Sequence, residues 1–128
     1  MKSEKSRSES DKPHFTGCVE LIPPLPTFIE FITARRLWGI PIRQLEFFVL
    51  GGNPESDGKK TSPTDMLVLV FQTRLVFLFG WRLEQMLDPL MQGRIKRVHA
   101  EKFLGTLMIG EPWVSEIVIV PRFITLPL

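Results

Sequence analysis

The sequence contains few of the residue types that carry enzyme chemistry. Among 128 residues there are one cysteine, Cys18, two histidines, His14 and His99, and no tyrosine. A single cysteine cannot form a disulfide within the chain, so a disulfide-stabilised secreted framework is not supported. The histidines lie far apart in sequence, so the clustered ligands typical of a zinc site are missing. We therefore expect no metal ion and no cofactor.

The remaining possibilities for catalysis are weak. Cys18 and His99 are the only conceivable nucleophile and base, but Cys18 lies among apolar residues, where an inert thiol is usual. No nucleophile elbow or phosphate-binding loop occurs. Glu84 and Asp88 share a helix face, and Glu101 lies beside His99, so a carboxylate site stays open, although solvated surface charges explain these residues equally well. The prediction is that the chain has no catalytic residues.

The sequence also lacks the apolar segments used for export or membrane insertion. The polar N-terminus has no hydrophobic stretch like that of a signal peptide. Residues 66–79 form the most apolar run, but a membrane helix needs about 20 residues, and Gln72, Thr73 and Arg74 interrupt this run at its centre. The sequence therefore predicts a cytoplasmic protein with no membrane partner. Residues 66–79 fit either two strands joined by a tight turn or one long bent strand.

The composition is that of one globular domain. The chain is 44% apolar and 23% charged, and it has ten phenylalanines and three tryptophans to build a core. Residues 1–14 are almost all polar and are predicted to be a disordered tail. Residues 15–128 are predicted to form a single domain.

Hydrophobic periodicity predicts two helices among several strands. Thr27 and Glu30 have the spacing of a capping box, which predicts a helix over residues 28–38. Leu83, Leu87 and Leu90 follow the helical period, and Gly93 would close this second helix. Predicted strands cover residues 15–22, 42–50, 66–71, 75–79, 94–100 and 113–120, and residues 103–107 form a short turn or helix. The predicted fold is α+β, a mostly antiparallel sheet of about five to six strands with two amphipathic helices packed on one face.

One basic segment suggests a nucleic-acid interface. Arg94, Lys96, Arg97 and Lys102 follow one another along a predicted half-exposed strand whose alternation slips near Arg97. Several cations facing one way along a strand can follow a phosphate backbone. Lysine and arginine are also common on edge strands, where they prevent aggregation. Nucleic-acid binding through these four residues is the alternative hypothesis.

The leading hypothesis follows from the surplus of apolar residues. The segments MLVLVF, LVFLF and IVIV supply more apolar surface than a domain of this size need bury. A protein partner or a second copy of the chain would cover what remains. We therefore expect a non-enzymatic, intracellular protein-binding or assembly module that self-associates, with either a protein partner or a second copy, as in a homodimer, on its surface.

Overall fold

Nine strands and one short helix make up the described part of the structure. The computed structural model describes residues 14–16, 18–21, 27–59, 62–102 and 111–122. The strands are β1 His14–Thr16, β2 Val19–Leu21, β3 Phe28–Ile32, β4 Leu37–Pro41, β5 Leu45–Gly52, β6 Asp65–Phe71, β7 Arg74–Trp81, β8 Ile95–His99 and β9 Trp113–Pro121. Two 3-10 turns cover Ile42–Gln44 and Leu83–Met86, and the helix α1 covers Leu87–Met91.

The strands form two separate sheets. Sheet A has the order β1-β2-β8-β3-β4, and sheet B has the order β5-β6-β7-β9. All described pairs are antiparallel except β3 with β8, which run parallel. Strand β8 therefore joins two hairpins, β1–β2 and β3–β4, into one sheet.

The two sheets enclose one hydrophobic core. The core includes Ile29 and Phe31 from sheet A and Leu69 and Phe71 from sheet B. The rings of Phe31 and Phe71 meet edge to face, with centroids 6.1 Å apart, which ties the two sheets together. Burying each such side chain contributes about 1.5–3 kcal/mol. One face of each sheet is thereby covered by the other sheet.

The predicted α+β fold is wrong, because residues 28–38 do not form a helix. This segment is the hairpin of β3 and β4, closed by a hydrogen bond from the Thr33 amide to the Arg36 carbonyl of 2.9 Å. In β3, buried Ile29 and Phe31 alternate with more accessible neighbours, which is the period of a strand. Its β-branched and aromatic residues favour that conformation. The apparent capping residue Glu30 instead faces Arg97 of β8.

The second predicted helix exists in shortened form. It consists of the turn Leu83–Met86 followed by α1, and it buries Leu83, Met86 and Leu90 as its periodicity predicts. Its residues lie in the same core cluster as the inner side chains of both sheets. Pro89 lies inside this short segment, and Gly93 follows it with φ of 66°. The left-handed backbone at Gly93 ends the helix, because glycine adopts it without steric cost.

Most predicted strands are confirmed. Residues 66–79 form the hairpin of β6 and β7, so the single bent strand is wrong. Strands β8 and β9 match the predicted segments closely. The predicted strand at residues 15–22 is divided between β1 and β2, which pair with each other. Residues 1–13 of the predicted tail and residues 103–107 lie outside the described residues, while His14 begins β1.

Candidate interaction surface

The basic strand β8 turns part of its charge toward carboxylates. The Arg97 guanidinium contacts Glu30 through Nη2 at 2.7 Å and Nε at 2.8 Å, and its Nη1 lies 3.4 Å from Glu20. The Lys96 Nζ lies 3.8 Å from the same Glu20 carboxylate. The hydrogen bond that Arg97 donates to the Glu30 carboxylate raises the pKa of Arg97 above its ordinary value. Lys96 and Arg97 therefore neutralise carboxylates of the neighbouring strands.

A shift in strand register explains why two consecutive residues reach one carboxylate. Opposite β2, the pairing shifts between Glu20, which pairs with Arg97, and Leu21, which pairs with Ile95. Lys96 is thus an extra residue in β8, as in a β-bulge. The sequence pattern predicts a slip in the alternation of β8 near Arg97, and the structure places the extra residue Lys96 at this point. Glu20 is only 6% exposed, and these two cations offset the cost of burying a carboxylate there.

The other two predicted basic residues lie outside β8. Arg94 precedes the strand, is half-buried and donates its backbone amide to the Pro89 carbonyl at 2.8 Å. Lys102 is exposed and follows the strand. The four residues are thus distributed over a loop, an ion-pair cluster and a second loop. The structure does not align them as one row of cations.

The candidate catalytic groups are also dispersed. Glu84 and Asp88 are exposed, and Glu101 lies 3.3 Å from His99 Nδ1. Within the described ranges, no three acidic, histidine or cysteine side chains gather as metal ligands. These carboxylates therefore have the geometry of surface charges.

Cys18 is packed as a core side chain. It is 0% exposed, and its thiol donates to the Val114 carbonyl at 3.4 Å. Burial raises the pKa of the Cys18 thiol to about 11. A thiol with this pKa stays protonated near neutral pH and is a poor nucleophile. His99 contacts Cys18 through the backbone, its amide donating to the Cys18 carbonyl at 3.0 Å.

An open cavity lies at one end of the two sheets. Its volume is about 550 Å³, and it is lined by residues 32–34 and 100–102 together with Trp81 and Ser115. The Ser115 hydroxyl donates to the Phe79 carbonyl at 3.1 Å, and Glu101 is paired with His99. The Ser115 hydroxyl and the Glu101 carboxylate are therefore each engaged with another group.

The most distinctive surface is the face of sheet B that points away from sheet A, which we call the outer face. Strand register places its side chains in three rows that cross all four strands. The rows are Gly51, Met66, Phe79 and Glu116; Val49, Val68, Phe77 and Val118; and Phe47, Val70, Leu75 and Val120. Ten of these twelve residues are apolar side chains. Among these described residues, Glu116 carries the only charge.

The outer face is separate from the core of the protein. None of its residues belongs to the core cluster or packs against it, whereas Phe48, Leu50 and Ile119 from the same strands pack against the cluster. On the edge strand β5, Phe47 is 52% exposed and Val49 is 53% exposed. Val70 is only 7% exposed, and the other apolar side chains of the face are half-buried.

Sequence reasoning found the apolar segments but not this face. A strand with one face in water normally alternates apolar and polar residues, whereas β6 reads MLVLVF without a break. Uninterrupted apolar strands are typical of sheets that are covered on both faces. That signal was present in the sequence, but only the register shows that the surplus residues form one surface.

No family model, curated protein sequence or solved structure matches this chain. Among the described residues, no helix has the length and apolar character needed to cross a membrane.

Proposed function

We propose that the chain is a non-enzymatic, cytoplasmic protein-binding module that self-associates through the outer face of sheet B. The observation that supports this proposal is the set of three apolar rows, which lie outside the core cluster. Contiguous apolar patches of this kind mark interaction surfaces in soluble proteins. The free thiol of Cys18 agrees with the reducing environment of the cytoplasm.

The absence of a suitable chemical site among the described residues favours binding over catalysis. Cys18 is buried with a raised pKa, Glu84 and Asp88 are exposed, and Glu101 is paired with His99 at the surface. An apolar sheet face needs only a complementary surface to act. The proposal therefore assigns the functional role to a face of a sheet.

The nucleic-acid hypothesis has less support. A phosphate bound at β8 would compete with Glu20 for Lys96 and with Glu30 for Arg97. Charge-assisted pairs of this kind are among the stronger hydrogen bonds in proteins. Lys102 by itself offers only a small positive surface. We therefore rank this hypothesis second.

The test is the absolute mass of the protein by light scattering after size exclusion, with absorbance at 260 nm recorded alongside. We expect a multimer without bound nucleic acid. Val68→Lys places a charge at the centre of the outer face and should give a monomer with the same circular dichroism. Gln72→Lys adds the same charge in the exposed β6–β7 turn and should leave the mass unchanged.

Two results would contradict the proposal. One is a monomeric wild-type protein at every accessible concentration. The other is a multimer that persists in the folded Val68→Lys variant, because assembly would then use another surface. A monomer that elutes with nucleic acid would instead favour the hypothesis based on β8.

A further inference from the structure

We infer that the partner of the outer face is a second copy of the chain, stacked face to face about a two-fold axis that runs parallel to the strands between β6 and β7. This inference rests on the proposed function, because it specifies how two copies meet at the same surface. It goes further by assigning a residue of one copy to each residue of the other.

The first argument is the size of the face. The four strands lie about 4.8 Å apart and are together about 19 Å wide, and three rows that are two residues, or about 6.8 Å, apart occupy about 20 Å along the strands. The three rows therefore cover about 400 Å² on each copy, or about 800 Å² in a pair. This total is below the roughly 1,000 Å² of a typical specific interface, so we expect a weak dimer whose population depends on protein concentration. An isologous contact is also the commonest way in which identical chains assemble.

The second argument is steric complementarity. A two-fold axis parallel to the strands places β6 of one copy opposite β7 of the second copy. Each row of one copy then faces the same row of the second copy. At the centre, Phe77 then lies opposite Val68, so a large side chain meets a small one in both halves of the interface. An axis perpendicular to the strands would place Phe77 opposite a second Phe77. Interdigitation of large and small side chains is what gives sheet interfaces their packing density.

The third argument is the position of the single charge. With the axis parallel to the strands, β9 lies opposite β5, and Glu116 lies opposite Gly51 at the edge of the interface. Gly51 has no side chain, so the carboxylate keeps room for water. With the perpendicular axis, Glu116 would meet Val120 and lose that solvation, which is costly for a charged group. Both size and charge therefore select the same axis.

A pair of lysine variants on β5 tests this arrangement. Gly51 and Val49 lie two residues apart on the same face of the same edge strand. A Cβ at Gly51 meets no atom within 4 Å, so a side chain fits there in the monomer. Gly51→Lys should preserve or strengthen the dimer, because the ammonium group faces Glu116. Val49→Lys faces Val118 and should raise the dissociation constant at least about tenfold, since it buries an unpaired charge.

Cross-linking provides a second and independent measurement. In the proposed dimer, Val49 of one copy lies about 10 Å from Val118 of the second copy, which is the spacing of stacked sheets. Val49 of the second copy lies across the same gap and is also displaced sideways by three strand spacings, or about 14 Å. A bismaleimide that spans about 10 Å should therefore link a mixture of Val49→Cys and Val118→Cys chains. It should not link Val49→Cys alone. Cys18 does not interfere, because it is buried.

The outcomes separate this inference from the proposed function. Suppose that the wild type is a dimer, that Val68→Lys dissociates it, and that two Val49→Cys chains become linked to each other. The two-fold axis is then perpendicular to the strands, so the inference fails while the proposed function stands. Weakening of the dimer by Gly51→Lys would overturn it in the same way. A monomer in which Val49→Cys is protected from maleimide would mean that another part of the same chain covers the face, and both proposals would fail. A monomer that binds lipid vesicles through this face would also overturn both.

Discussion

Gly80 of β7 lies against the backbone of β9, and replacing it by alanine should destabilise the protein severely. A Cβ built at Gly80 falls 1.8 Å from the Trp113 carbonyl oxygen and 3.1 Å from the Val114 Cα. Both obstacles are backbone atoms, so no side-chain rotation relieves the contact. The Trp113 carbonyl would have to move by about 1.5 Å to reach ordinary contact distance. We expect Gly80→Ala to lower the free energy of unfolding by at least about 3 kcal/mol.

The clash is severe because this part of sheet B is held on several sides. The pairing of β7 with β9 shifts register between Phe79 and Gly80, so β9 bulges toward the glycine. The Trp113 indole also donates to the Glu101 carbonyl at 3.0 Å, which ties this end of β9 to the chain that follows β8. A shift of β9 would therefore disturb both sheets.

Chemical denaturation at one fixed protein concentration measures this effect, because the proposed assembly would also contribute to apparent stability. The control is Gly52→Ala in β5, where the nearest atom to the added Cβ is the Thr64 carbonyl oxygen at 4.0 Å. The control should change stability by less than about 1 kcal/mol in either direction. If Gly80→Ala stays within about 1 kcal/mol of the wild type, the described β7–β9 register is wrong at this point.

Two further predictions concern buried polar groups. Cys18 should resist alkylation at pH 8.5 in the native protein and react fully in denaturant, so rapid labelling of the native protein would contradict the raised pKa. The folded pKa of about 11 exceeds the unfolded value of 9.0, so the contribution of the protonated thiol to stability is intact below about pH 9. This contribution, on the order of 2 kcal/mol, is lost as the pH rises toward 11. Arg97→Met should lower the free energy of unfolding by about 2 kcal/mol, because it removes one cation from buried Glu20. Adding Glu20→Gln to this variant should recover part of the lost stability. A further loss in the double variant would show that the charge of Glu20 is not the cause.

The elements that could be predicted are those fixed by local sequence. The β6–β7 hairpin follows from two apolar runs separated by a short polar break, and β9 follows from the run of β-branched residues ending at Pro121. The closing role of Gly93 follows from its position after an apolar helical stripe. In each case the decisive interactions lie within a few residues of one another.

The elements that could not be predicted depend on distant residues. Glu30 was interpreted as a helix cap because the local spacing fits, yet its partner Arg97 lies 67 residues away along the chain. The basic residues of β8 were interpreted as a phosphate-binding row because Glu20 and Glu30 could not be placed beside them from sequence. The outer face required the register of four strands, which no local pattern contains. Tertiary context therefore decided both the fold class and the candidate site.

The position of β8 has a consequence for how the chain folds during synthesis. Sheet A begins with β1–β4, but its two hairpins stay unconnected until β8 has been made, and sheet B likewise waits for β9. Pairings between residues so far apart in sequence form slowly, because the intervening loop must first be closed at an entropic cost. Neither sheet can complete its inner face before almost all of the described chain has left the ribosome. The apolar strands β5–β7 are therefore exposed throughout that interval, when protection from aggregation matters most.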